Sequence, residues 1–187
     1  QQKDYTAAVS LYQRVLTLDA NSKDALAGLD AIRTIMADAR KQSTLKQLAA
    51  MQTAFDKKDY ALLEKLLDAS HVKLDEFAEL PQYWLLSSQF NFQQKHYASA
   101  LKGYQRLLAL KPDSVPARQG TILILTAQKN YPLLRQTLAK WQAFAERNDV
   151  LWPNYALAYQ AMGEDTKSLK WFEMASIKHP ENYAMLL

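Results

Sequence analysis

The sequence predicts an all-α fold, a solenoid of antiparallel helix pairs stacked side by side, and three observations predict it. Trp84 and Trp152 lie 68 residues apart, twice 34. Other landmarks keep that register: Tyr97 and Tyr131 are separated by 34, Pro112 and Pro180 by 68, and Tyr104, Leu138 and Phe172 step by 34 and 34. No stretch alternates apolar and polar residues long enough to read as a strand, and four glycines with six prolines are too few for a sandwich. A fixed period near 34 means that each unit is a helix pair unable to bury its apolar face without neighbours.

In chain order, Asp4 to Asp19 reads as the second helix of a unit, with Val9, Tyr12, Val15 and Leu16 on its inner face. Another helix begins near Ser22 or Lys23, carrying Leu26, Leu29, Ile32 and Met36 at helical spacing. There the period fails. Tyr5 and Tyr60 are 55 apart, 34 plus 21, and no Pro or Gly from Leu29 to Asp56 marks a break. One long helix from about Lys23 to Lys57 is expected, its polar middle, Arg40 to Thr44, exposed. The alternative is a split, with Thr44-Leu45-Lys46-Gln47 as a capping box. Tyr60 to Ser70 follows as a second helix, then an irregular acidic insert around Asp75 and Glu76. Pro81 opens the regular array at the first turn of a helix, where its missing donor costs nothing. Helices are then expected at Pro81 to Gln94, Tyr97 to Leu110, Ser114 to Gln128, Tyr131 to Glu146, Val150 to Met162 and Asp165 to Lys178.

Ala8 and Ala100 stand where two helices must cross closely, and the large aromatics fill the space beside them. Pro112 and Pro180 end second helices. These Trp, Tyr and Phe residues therefore read as inter-helix core. With 187 residues, half of them apolar, there is material for about five helix pairs in one elongated domain. The chain leads from Gln1 to Lys3 straight into a second helix and breaks off from Tyr183 to Leu187 inside a first one. Residues 1–187 thus read as one solenoid cut from a longer array, with partial units at both ends. Such free ends make end-stacked dimers plausible.

The residues that carry the period resemble the tetratricopeptide repeat, whose pattern runs W-x2-L-G-x2-Y, A-x3-F, P. Trp84, Ala100, Tyr104 and Pro112 match in one unit, and Trp152, Tyr159, Phe172 and Pro180 in the unit after next. Between them lies a degenerate unit, with Arg118 for Trp, Leu134 for Ala, and Trp141 where a small residue usually sits. The resemblance implies a right-handed superhelix whose first helices line a concave groove. Leu85, Gln89, Phe92 and Gln93 would line it from one unit, Gln119, Leu123 and Thr126 from the next, and Leu157 and Gln160 from the third. Cochaperones of this family hold a peptide carboxylate with lysine, asparagine and arginine. Leu85, Gln89, Gln119 and Gly120 occupy those positions here, so that clamp is absent.

Chemistry is sparse. His71, His96 and His179 fall at helix ends or turns with no second histidine one helical turn away. There is no cysteine, phosphate-binding glycine loop or nucleophile elbow. Asp56 with Asp59, and Asp75 with Glu76, are the closest carboxylate pairs. Both sit beside lysines at solvated turns, with nothing to push their proton affinities apart. No enzymatic activity, cofactor or metal is expected. No segment approaches 18 consecutive apolar residues, so no membrane contact by a spanning helix is expected.

The net charge of +4 is scattered. The nearest thing to a basic face is Arg33, Arg40 and Lys41, and charge runs of this kind usually solvate a helix. No nucleic acid is expected as partner; a steep salt dependence of binding would indicate otherwise.

A narrower resemblance covers about a third of the chain: Leu133-Leu134-Arg135 with Leu138 and Trp141, Leu151-Trp152-Pro153-Asn154-Tyr155-Ala156, Gly163, and Ser168-Leu169-Lys170-Trp171-Phe172. This is similar to the periplasmic repeats of bacterial outer-membrane exopolysaccharide exporters of the Pel type. It implies a periplasmic scaffold, part of an outer-membrane protein, that docks a polysaccharide-modifying enzyme and helps guide the polymer. On that reading the amides of Gln89, Gln93 and Gln119 would hydrogen-bond sugar hydroxyls. The alternative is a protein-assembly adaptor, for pilus or secretion-system biogenesis, taking a peptide or helix in the same groove.

Overall fold

The computed structural model describes residues 5–180. Among them are ten α-helices, one 3₁₀ turn and no strand. The helices are α1 (Tyr5–Leu18), α2 (Lys23–Asp56), α3 (Tyr60–His71), α4 (Leu74–Phe77), α5 (Pro81–Gln93), α6 (Tyr97–Leu110), α7 (Val115–Ala127), α8 (Tyr131–Ala145), α9 (Trp152–Ala161) and α10 (Asp165–Lys178). Helices α5 and α6, α7 and α8, and α9 and α10 form hairpins, and the first helices α2, α5, α7 and α9 also pack on one another in sequence.

The hairpin turn is the most regular element. The N–H groups of Asp59, His96, Asn130 and Glu164 each donate to the carbonyl five residues back, at 2.8 to 3.0 Å, closing the first helix of each pair. The residue before each is left-handed: Lys58, Lys95, Lys129 and Gly163, with φ of 57°, 61°, 54° and 72°. The last three lie 34 apart. Asp59 and Asn130 then cap the returning helix by accepting from the N–H of Leu62 and Leu133.

Aromatic and small residues alternate across the helix crossings. Ala100 is fully buried between α5 and α6. A side chain at Gly103 would meet Ser88 Oγ at 2.2 Å. The Tyr104 ring lies on Gly120 and the Tyr12 ring on Gly28, each tyrosine 16 residues before its glycine. Trp84 and Trp152 have matching surroundings. Each indole N–H donates at 2.8 Å to a backbone carbonyl upstream, that of Ala78 and of Ala145.

The degenerate unit obeys the same rule with different chemistry. Arg118 donates through its guanidinium to the Pro112 carbonyl at 2.8 Å, six residues back, as Trp84 does to Ala78. Its flat cation lies 4.1 Å from the Phe144 ring centre and 4.8 Å from that of Trp141. Trp141 thus supplies the aromatic surface that the missing first-helix tryptophan would have brought. Burial lowers the Arg118 pKa, partly offset by Tyr155 and Asp113.

The long helix is continuous, capped by Ser22 Oγ accepting from the Ala25 N–H. Its N-terminal half packs on α1 and its C-terminal half on α3 and α5. No capping box breaks it at Thr44. Of the middle expected to be exposed, Arg40 to Ser43 are, but Thr44 is 4% exposed. The insert expected to be irregular is the reason: it forms the one-turn helix α4, which sets Glu76 Oε2 2.9 Å from the Thr44 hydroxyl. The same turn sends Phe77 into the core, its ring 5.1 Å from that of Tyr83.

Two further expectations need correction. No residue of α1 is buried, and Val15, assigned to its inner face, is 37% exposed; packing on α2 alone does not enclose it. Residues 149–151 form a 3₁₀ turn, so α9 begins at Trp152 with Pro153 in its first turn. The readings for Gln1 to Asp4 and Tyr183 to Leu187 lie outside the described residues.

Candidate docking groove

The first-helix face is held by the contacts that join α5 to α7 and α7 to α9. Three classes of side chain emerge among the residues assigned to it. Leu85 and Phe92 of α5 are half-buried and pack into the cluster around Ala100, Tyr104 and Leu107. The Phe92 ring lies 6.0 Å from that of Tyr97. These two belong more to the α5–α6 core than to an open groove, because both pack against the α6 cluster and Tyr97 at the turn covers Phe92.

Gln119 is the clearest departure. Its Nε2 donates to Asn154 Oδ1 at 3.1 Å, which ties α7 to α9. Asn154 is buried. The Gln119 amide is therefore a strut between first helices, with one donor already committed. Thr126 is likewise self-satisfied, its hydroxyl donating to the Ile122 carbonyl at 2.8 Å. Gln89 is half-buried, while Gln93 and Gln160 are exposed.

What stays open and apolar is a pair. Leu123 and Leu157, 34 residues apart, are 36% and 48% exposed on adjacent first helices. An exposed leucine alone means little, but two at the repeat period on packed helices define a row. None of the assigned groove residues is charged.

Asn154 is the site residue that sequence reading missed. The signal existed: Asn154 stands 34 after Gly120, the position on which Tyr104 lies. A polar residue at a position that packing must bury needs a hydrogen-bond partner on a neighbouring helix. The preceding second helix carries Leu138 where the other unit has Tyr104, leaving space for a side chain larger than glycine.

The basic residues divide. Arg33 and Arg40, seven residues apart and so on one face of α2, share one open cleft between α1 and α2. Arg40 also borders a small hollow of about 180 Å³ with Lys41, Leu45, Glu76 and Leu80. Lys41 thus faces the α4 side.

The family profile described as Tetratricopeptide repeat matches residues 2–187. The chain belongs to the tetratricopeptide repeat family. Among solved structures, the crystal structure of MamA protein matches this tetratricopeptide repeat chain with a TM-score of 0.62 and 16% sequence identity, covering 95% of this chain and 94% of that one. At that identity the likeness concerns the fold. No curated protein matches the sequence. Repeats of this family form protein-interaction scaffolds, and no helix among the described residues is long and apolar enough to cross a membrane.

Proposed function

We propose that the chain is a non-catalytic scaffold which docks a protein partner along the first-helix face, seating an apolar segment on the Leu123–Leu157 row. The observation that carries this is the row itself: two leucines left uncovered at the repeat period, beside Gln119 tied to Asn154. A partner that packs its own apolar side chains there gains about 25 cal/mol for each Å² of apolar surface removed from water. The exposed amides of Gln93 and Gln160 would satisfy its polar groups.

The finer reading places this scaffold in bacterial exopolysaccharide export, periplasmic and attached to an outer-membrane exporter, with a polysaccharide-modifying enzyme as the docked partner. Its support is the likeness of the segments around Leu133 to Trp141 and Leu151 to Phe172 to exporters of the Pel type. Guidance of the polymer itself is the weaker part. The one aromatic assigned to the groove, Phe92, is engaged with Tyr97, and Gln119 with Asn154.

The test is a pull-down of the modifying enzyme with the chain and with Leu123→Asp/Leu157→Asp. Retention by the parent chain and loss by the variant, with unchanged helical circular dichroism, supports the reading. Failure of the parent chain to retain the enzyme removes the export reading. Equal retention by both proteins removes the docking row.

A further inference from the structure

The middle of α2 departs from every other unit. In the regular pairs a first helix ends after 10 to 13 residues and its own second helix returns along it. The N-terminal half of α2 has no such return, because the helix runs on for 34 residues. From Arg33 to Ser43 no residue is buried. The helix-shaped place that a return would fill is therefore open, and α1 forms its other wall.

That place is an open cleft of about 1200 Å³. Its apolar lining includes Val9 from α1 and Leu29, Ile32, Ile35 and Met36 from α2. Ile35 and Met36 are 45% and 39% exposed. The charges lining it have one sign: among the described residues Arg33 and Arg40 border it and no carboxylate does. Neither guanidinium makes an ion pair with a described residue. The two arginines are seven residues apart, two helical turns, or about 10.5 Å along the axis.

We infer that this cleft docks an acidic amphipathic helix of a partner protein. The lined stretch of α2, Leu29 to Ser43, is roughly 21 Å long, the length of about 14 helical residues. Carboxylates at i and i+7 on such a helix repeat at the same distance as Arg33 and Arg40, whichever way the helix runs. Apolar residues at i+3 and i+4 then face Ile32, Ile35 and Met36. Guanidinium–carboxylate pairs at the rim set orientation and association rate, while the apolar floor holds the complex. The site is separate from the first-helix row and does not depend on it.

The experiment uses the whole chain and a synthetic 15-residue helical peptide with Leu and Ala on one face and Glu at i and i+7, beside a version with Lys for Glu. Fluorescence anisotropy should show the acidic peptide binding at least about tenfold tighter than the basic one, with the preference reversed in Arg33→Glu/Arg40→Glu. Met36→Asp should abolish binding of either peptide, while Leu123→Asp/Leu157→Asp should leave it unchanged. Because Arg33, Arg40 and Met36 are exposed, these variants should keep their helical circular dichroism. The inference is overturned if the two peptides bind alike, if the charge-reversed chain keeps the acidic preference, or if a single-stranded oligonucleotide binds more tightly than the acidic peptide. It is also overturned if sedimentation shows the parent chain dimeric and Met36→Asp monomeric, which would assign the cleft to a second copy.

Discussion

Gly28 and Gly120 offer a controlled comparison, because alanine at either position meets a tyrosine ring at the same 2.3 Å. Ordinary contact begins at 3.4 Å, so each ring must retreat by about 1 Å. Tyr104 is 3% exposed, inside the cluster of Ala100, Leu107, Ala117 and Ile124, and burial pushes its pKa up to about 12. It has nowhere to go. Tyr12 is half-buried on α1 and can swing outward. Overpacking a closed site costs about 1 to 3 kcal/mol, while Gly→Ala within a helix returns about 1 kcal/mol. Gly120→Ala should therefore destabilise by up to about 2 kcal/mol, and Gly28→Ala should be neutral or stabilise by up to about 1 kcal/mol. Urea unfolding followed by far-UV circular dichroism measures both. In a Tyr104→Leu background, Gly120→Ala should lose its penalty, since Leu138 already coexists with Asn154 at the equivalent position. Equal effects at the two glycines, or a penalty that persists once the Tyr104 ring has been removed, would refute the packing argument.

Further outcomes follow from the turns and ion pairs. Lys129→Gly should raise stability by about 1 kcal/mol, since Lys129 holds the left-handed conformation that Gly163 occupies one period later; a lower urea midpoint would contradict this. Arg118→Met should stay within about 1 kcal/mol of the parent chain. Its Nε and one terminal nitrogen have no hydrogen-bond acceptor, and Pro112 is exposed enough for water to replace the lost donor. Arg118→Ala, which also empties the space on Trp141 and Phe144, should cost about 2 kcal/mol, read from thermal or urea unfolding. Lys167 and Arg135 hold the Glu164 carboxyl below its ordinary 4.5 by hydrogen bonds at 2.7 and 2.6 Å. With a depressed folded pKa, this stabilisation is present above pH 4.5 and lost as pH falls through the folded value. The stability difference between the parent chain and Glu164→Gln should therefore shrink on acidification below that point.

Helix bounds were most legible where local signals agreed. Tyr97 to Leu110 and Asp165 to Lys178 stand as the sequence implied, because a left-handed turn before them and a proline after them fix both ends. The long α2 was legible from the absence of any breaker. What escaped depends on partners distant in sequence. Thr44 looked like a solvated mid-helix residue, and only Glu76, 32 residues on, makes it buried. Gln119 looked like a free groove amide until Asn154 accepted its donor. Arg118 looked like decay of the repeat, yet with Trp141 it rebuilds the same contact from a cation and an indole. Composition shows which residues want cover, but the cover itself comes from a neighbouring helix whose position periodicity alone does not fix.

The uninterrupted α2 does something no other element of the stack can. Its first half buries Ala25, Leu29 and Ile32, and its second half Thr44, Leu48, Met51 and Ala54. At 3.6 residues per turn these stripes point about a quarter turn apart. A hydrogen-bonded rod resists torsion, so the angle between them is set by residue count and not by a loop. Helix α2 thereby fixes the bearing of α1, on its first half, relative to α3 and α5, on its second, with no loop between the two seats to let that angle drift.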